Sequence, residues 1–159
     1  MITLDYSSTS LNTSEFRTEV VNVLEALGAN GTVTELNLVR CDMRAREARA
    51  LGRVLKTNRS LLALHIDEAD VGLRAHFYDH CADQLAQALR ENDTLLRFSL
   101  LGGLVTSSVV PAFARMLGEA NRTLQSFTLK SRNCGKGAPF AEALQAMASS
   151  IIIISCIIK

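Results

Sequence analysis

Four stretches of this chain share one form: "NGTVTELNL" from Asn30, "NRSLLALHI" from Asn58, "NDTLLRFSL" from Asn92 and "NRTLQSFTL" from Asn121. Each reads Asn-x-Ser/Thr-apolar-x-x-apolar-x-apolar. A degenerate fifth copy, "ASSIIIISC", starts at Ala148, and successive starts lie 28, 34, 29 and 27 residues apart. A unit this short cannot bury its apolar side alone. It must stack on its neighbours, so the period predicts a solenoid in which each unit contacts the next.

The second half of each copy alternates, as a half-buried strand does. The buried pairs are expected to be Leu36/Leu38, Leu64/Ile66, Phe98/Leu100, Phe127/Leu129 and Ile154/Cys156. Ile2 and Leu4 look like a strand that precedes the first helix. Upstream of each Asn the apolar residues recur at three- and four-residue steps, the period of a helix with one buried face. They are Phe16, Val20, Val23, Leu24 and Leu27; Ala48, Leu51 and Leu55; Cys81, Leu85 and Leu89; Val110, Phe113, Ala114 and Leu117; and Phe140, Ala141 and Leu144. Helix starts are expected between Asn12 and Ser14, at Asp42 and between Thr106 and Ser108, and Pro139 suits a first helical turn.

Asn-x-Ser/Thr is also the acceptor form for an N-linked sugar, and Asn12-Thr-Ser adds a further instance. The repeat explains the other four without a sugar. Each Asn stands just past a helix, where the left-handed conformation that Asn tolerates is common. The hydroxyl two residues on can bond nearby backbone as the chain enters the strand. The first residues carry no basic segment followed by a long apolar one, so the sequence reads as cytoplasmic. Its longest apolar run, from Ile151, is far shorter than a membrane helix requires. Cys41, Cys81, Cys134 and Cys156 show no paired spacing and read as reduced thiols.

On these residues the chain resembles leucine-rich repeat proteins of the ribonuclease-inhibitor type. "VTELNLVRC", Val33 to Cys41, fits the family's L-x-x-L-x-L-x-x-N/C strand, with Cys41 in the last position. Ala69, Gly103 and Arg132 stand there in the other units. The resemblance implies an α/β fold, a curved solenoid with a parallel β-sheet on its concave side and helices on its convex side. It covers residues 1–159 as a single domain. The curvature has a simple cause, since helices are about 10 Å across and paired strands only about 4.8 Å apart.

Strand residues that alternate with the buried ones would face the concave side in three rows. These are Glu35, Ala63, Arg97, Ser126 and Ile153; Asn37, His65, Ser99, Thr128 and Ser155; and Val39, Asp67, Leu101, Lys130 and Ile157. The small polar middle row, flanked by Glu35, Asp67, Arg97 and Lys130, predicts a surface for another protein. The resemblance implies a range of such roles, among them inhibitor, immune-type sensor, GTPase-activating scaffold and actin regulator.

Catalysis is not expected. His76, Asp79, His80 and Cys81 lie in the longer second unit, but no second ligand pair completes a metal site. The run "RCDMRAREARALGRVLK" carries Arg40, Arg44, Arg46, Arg49, Arg53 and Lys56, yet it has no interleaved aromatic and is interrupted by Glu47, so it reads as a solvated helix face rather than a nucleic-acid patch. Gly102-Gly103 and Gly135-Lys136-Gly137 match no phosphate-loop pattern and read as tight turns. No cofactor, nucleic acid or membrane is called for. With aromatic residues at 5% and no Trp, the core is expected to be mainly aliphatic. The last residues, with Ile151, Ile153 and Ile157, form an apolar edge that invites self-association. Two readings of it stay open: a homo-oligomer through the ends, or a piece of a longer array.

Overall fold

The computed structural model describes residues 1–5, 14–41, 43–68, 79–102 and 110–130. Strands and helices alternate as the sequence pattern predicts. Strand β1 (Ile2–Asp5) leads to helix α1 (Ser14–Gly28), β2 (Glu35–Val39) to α2 (Ala45–Thr57), and β3 (Ala63–Glu68) to α3 (Asp79–Glu91). Strand β4 (Arg97–Gly102) is followed by α4 (Val110–Arg115), a π-helical turn (Met116–Ala120) and β5 (Ser126–Lys130). The strands form one parallel sheet in sequence order, β1-β2-β3-β4-β5.

The register equates the repeats residue for residue. Leu36, Leu64, Phe98 and Phe127 are neighbours across four strands, and so are Leu38, Ile66, Leu100 and Leu129. All eight are buried, together with Val20, Leu24 and Leu27 of α1, Leu51 and Leu55 of α2, Leu85 and Leu89 of α3, and Phe113 of α4. The core is not aliphatic throughout. Phe98 stacks on Phe127 at 5.5 Å between ring centroids, and Phe113 packs on both at 6.0 and 5.4 Å. At such separations ring pairs add to simple burial.

The repeating asparagines do not take the left-handed conformation. Asn58 (φ −73°, ψ 134°) and Asn121 (φ −80°, ψ 124°) are extended. Their side chains make the turn instead. Asn58 Oδ1 accepts the amides of Ser60 and Leu61 at 2.9 and 2.7 Å. Asn30, Asn92 and Asn121 accept the amides two and three residues on in the same way. The other end of the amide points to the preceding unit. Asn58 Nδ2 donates to Leu27 O and Asn30 O (2.7 and 2.8 Å), Asn92 Nδ2 to Leu55 O (2.6 Å), and Asn121 Nδ2 to Leu89 O and Asn92 O (2.7 and 3.1 Å). Leu27, Leu55 and Leu89 lie in the last turns of their helices, where carbonyls lack helical partners. Asn58, Asn92 and Asn121 therefore each shape their own turn and bond the helix end of the unit before, while among the described residues Asn30 does only the first.

The spacing from last core leucine to Asn shows which feature the chain preserves. It is the same in the first three units, from Leu27, Leu55 and Leu89, and one residue longer from Leu117 to Asn121. The extra residue is absorbed by the π turn, where Asn121 N bonds Met116 O, whereas Asn58 N bonds Val54 O. The helix yields and the Asn stays in line.

The hydroxyls of the motif extend the same bonding. The Ser60 hydroxyl lies within hydrogen-bonding distance of two carbonyls, Asn30 O at 3.0 Å and Val33 O at 2.9 Å, and can donate to either. Asn58, Asn92 and Asn121 are buried with their amides engaged, so these sugar-acceptor triplets are closed in the folded protein. Asn12 lies outside the described residues.

Other expectations are refined. Helix α1 begins at Ser14, as expected. Asp42 falls outside the described residues, and α2 begins beyond it, capped at Arg44. There Glu47 Oε2 accepts the Arg44 amide at 3.1 Å, and Oε1 accepts Arg17 Nε at 3.3 Å from α1. Glu47 is fully buried, so it does not interrupt a solvated face but ties α2 to α1. The expected start of α4 at 106–108 also lies outside the described residues. So do Pro139, Phe140, Ala141 and Leu144, and the whole fifth copy.

Arg40 has φ 54° and Gly102 has φ 76°, both left-handed. One residue after the paired Val39 and Leu101, they occupy equivalent places at strand ends. Glu68, at the same register position on β3, is not left-handed; where the chain does take positive φ, Gly meets it without steric cost, and Arg does not.

Replacing Asn92 with Ala removes four side-chain hydrogen bonds and leaves buried backbone groups without those partners, so unfolding in urea should show a loss of about 2–4 kcal/mol. Gly102→Ala should cost about 1–2 kcal/mol, while Arg40→Gly should be neutral or stabilising in the same assay.

Candidate functional site

The helices leave one face of the sheet open. Parallel sheets are usually covered on both faces, yet in β2 and β5 the residues between the buried ones are half-exposed or exposed. The register assembles the predicted rows. Thr3, Asn37, His65, Ser99 and Thr128 are aligned across all five strands. Glu35, Ala63, Arg97 and Ser126 flank them on one side, and Val39, Asp67, Leu101 and Lys130 on the other. Of the predicted self-association residues, Ile151, Ile153 and Ile157 lie outside the described residues, as does Ser155.

Ala63 departs from the expectation. It is buried, although its row faces outward. Glu35 and Arg97 lie on either side of it, and Glu35 Oε2 approaches Arg97 Nη2 to 4.0 Å across the strand between. The long side chains close over the small one. Glu35 Oε1 lies 3.8 Å from His65 Nε2. Both separations exceed a hydrogen bond, and the groups are about a third to a half exposed. The cluster is a loose, solvated association of one carboxylate with two basic groups. In the middle row Asn37 Nδ2 donates to Thr3 Oγ1 at 3.2 Å.

Charge is graded across the face. The acids Glu35 and Asp67 stand on β2 and β3, and the bases Arg97 and Lys130 on β4 and β5. Both flanking rows change sign in the same direction. The Asp67 carbonyl also accepts the Arg40 amide at 2.7 Å, which prolongs the β2–β3 pairing beyond Val39.

The helical side is different in kind. A shallow groove of about 460 Å³ between α2 and α3 has Ala48, Gly52 and Ala88 in its floor. Its cationic rim is matched by acids of neighbouring units: Arg53 Nη2 bonds Glu25 at 3.0 Å and Lys56 Nζ bonds Glu91 at 3.0 Å. Arg59 pairs with Asp93 in the turns beyond. Two cations of the arginine-rich run, Arg53 and Lys56, are thus tied to acids of neighbouring units, while Arg49 Nε donates to Ala45 O of its own helix. Hydrogen bonds from Lys56 and Gln87 hold Glu91 below the usual carboxylate range. That pairing is complete above the ordinary carboxylate pKa and is lost as pH falls through the lowered one.

His80 is exposed on α3 while Cys81 is buried, so the helix turns them to different surroundings. His76 lies outside the described residues, and the side chain of Asp79 is not described. Among the described residues no cluster of three metal-ligating side chains occurs, and no helix is long and apolar enough to cross a membrane.

No family model matches this sequence, and no curated protein matches it either. The rows of the open face follow from strand alternation and were visible in the sequence. The burial of Ala63 and Glu47 was not. Glu47 did carry a signal, since it stands three residues after Arg44, where a carboxylate reaches back to a helix start.

A double-mutant cycle of Glu35→Gln and Arg97→Gln, read by urea unfolding, should give a coupling below about 1 kcal/mol, as befits an exposed pair at this separation.

Proposed function

We propose that this chain is a non-catalytic protein-binding module of the leucine-rich repeat type, which captures a partner on the open face of its sheet. In this reading the sheet lines the concave side of a short arc. The observation that carries the binding role is a parallel sheet with one face uncovered, bearing an aligned row of short polar side chains. Evolving water-exposed residues on a parallel sheet is the exception, and an accessible polar sheet with flanking charge offers hydrogen bonds and orientation to a partner.

The repeat period, the in-register strands and the asparagine bonding from unit to unit support the architectural half of the reading. The charge gradient supports a partner of opposite polarity, basic where it meets Glu35 and Asp67 and acidic where it meets Arg97 and Lys130. His65, Ser99, Asn37 and Thr128 lie between the charges and supply hydrogen bonds. The helical face is a poorer candidate because several of its cations, Arg53, Lys56 and Arg59, are already paired with Glu25, Glu91 and Asp93.

A photo-crosslinking residue placed at Ser99 should trap a partner that the same residue at exposed Arg46 of α2 does not. Arg97→Glu with Lys130→Glu should abolish the Ser99 crosslink without altering the circular dichroism spectrum. Equal trapping from both positions, or trapping indifferent to the charge reversal, would remove the open face from consideration.

A further inference from the structure

Asn30 opens the row of bonded asparagines and differs from the rest in three ways. It is only half-buried, where Asn58, Asn92 and Asn121 are buried. Its successor is Gly31, and a Cβ built on Gly31 would meet nothing within 4 Å. Its amide nitrogen has no partner among the described residues, whereas the other three donate Nδ2 to carbonyls of the preceding unit. Its oxygen is nevertheless held: Oδ1 accepts Thr32 N at 2.9 Å, Val33 N at 2.8 Å and Thr32 Oγ1 at 3.3 Å.

We propose that Asn30 is a site of spontaneous deamidation in the folded protein, and that the other bonded asparagines are protected. In the first step a hydroxide or other base removes the proton from the Gly31 amide. The nitrogen attacks Asn30 Cγ, and a bond forms between them. Charge develops on Oδ1, where the Thr32 and Val33 amides already point, as donors do in an oxyanion hole. The Cγ–Nδ2 bond then breaks, and the nitrogen leaves as ammonia after taking up a proton from water. The resulting cyclic imide is opened by water at either carbonyl, giving aspartate or isoaspartate. No oxidant or reductant takes part.

Gly31 matters because it places no side chain beside the attacking nitrogen. Arg59, Asp93 and Arg122 occupy that place in the later units. Among the four described turn asparagines, Asn30 alone has an amide nitrogen not already held by hydrogen bonds. At Asn58 both amide hydrogens are directed to carbonyl oxygens, Leu27 O and Asn30 O.

The two products have different consequences. Aspartate keeps the backbone and the acceptor oxygens that bond Thr32 and Val33. Isoaspartate lengthens the main chain by one carbon and displaces the Asn30 carbonyl. That carbonyl accepts Asn58 Nδ2 at 2.8 Å and lies 3.0 Å from the Ser60 hydroxyl, so the bonding between the first two asparagine turns is disturbed.

The experiment is incubation of the native chain at mildly alkaline pH, followed by peptide mapping with isoaspartate detection. A sample unfolded in urea runs alongside. Isoaspartate is expected at residue 30 and not at 58, 92 or 121 in the native sample. Gly31→Ala should slow the reaction by about tenfold, equivalent to a barrier raised by about 1.4 kcal/mol. The aged protein should melt at a lower temperature, while Asn30→Asp, which makes only the normal aspartate, should melt close to the original. An Asn30 that stays intact in the native chain but reacts in urea would overturn the proposal, because the turn would then be protecting it. Equal reaction at all four asparagines would overturn it as well.

Discussion

At three successive turns a single side-chain amide links one unit of this protein to the unit before it. Asn58, Asn92 and Asn121 each present an acceptor to their own turn and a donor to the preceding helix end. Only Asn carries both functions on so short a planar group; Asp lacks the donor, and Gln adds a carbon that moves the amide away. Buried peptide groups left unpaired cost about 1–3 kcal/mol each, and without this bonding the turn amides of the motif and the Leu55 carbonyl would lose their partners inside the stack. The π turn before Asn121 illustrates how strictly the position is kept, since the helix deforms to deliver the residue.

The rest of the architecture follows from that constraint. With the turns fixed relative to one another, each strand enters in the same register. The junctions repeat as well: Leu62 and Ala63 both donate to Thr34 O, Leu96 and Arg97 to Leu62 O, and Gln125 and Ser126 to Leu96 O. In-register strands bring leucines, isoleucine and phenylalanines into continuous buried rows on one face. The opposite face is left with rows of polar and charged groups, and its chemistry is set by which residues happen to share a row.

Proximity across repeats then changes what individual residues do. Ala63 is shielded because Glu35 and Arg97 lie on either side of it, not because it faces the core. Glu47 belongs to an arginine-rich stretch and yet is buried, because its carboxylate finds the Arg44 amide and the Arg17 guanidinium together. Two basic residues of the same stretch, Arg53 and Lys56, are matched from α1 and α3 and so tie the units together. A buried carboxylate with two donors is tolerable where an unpaired one would not be.

Over the described units, the sequence by itself determined the period, the strand and helix order, the residues of the buried rows and, Ala63 apart, those of the open face. These depend on local periodicity, which any stretch of chain displays without reference to the rest. It also marked the asparagines, though with a left-handed turn in mind rather than an extended backbone bridged by the side chain. Only the tertiary structure decided what the amide nitrogens bond to, where Glu47 sits, why Ala63 is shielded and how the cations of α2 are matched. Each of those depends on partners about one repeat away in the chain, brought within hydrogen-bonding or ion-pairing distance by stacking, and no pattern within a single unit records that distance.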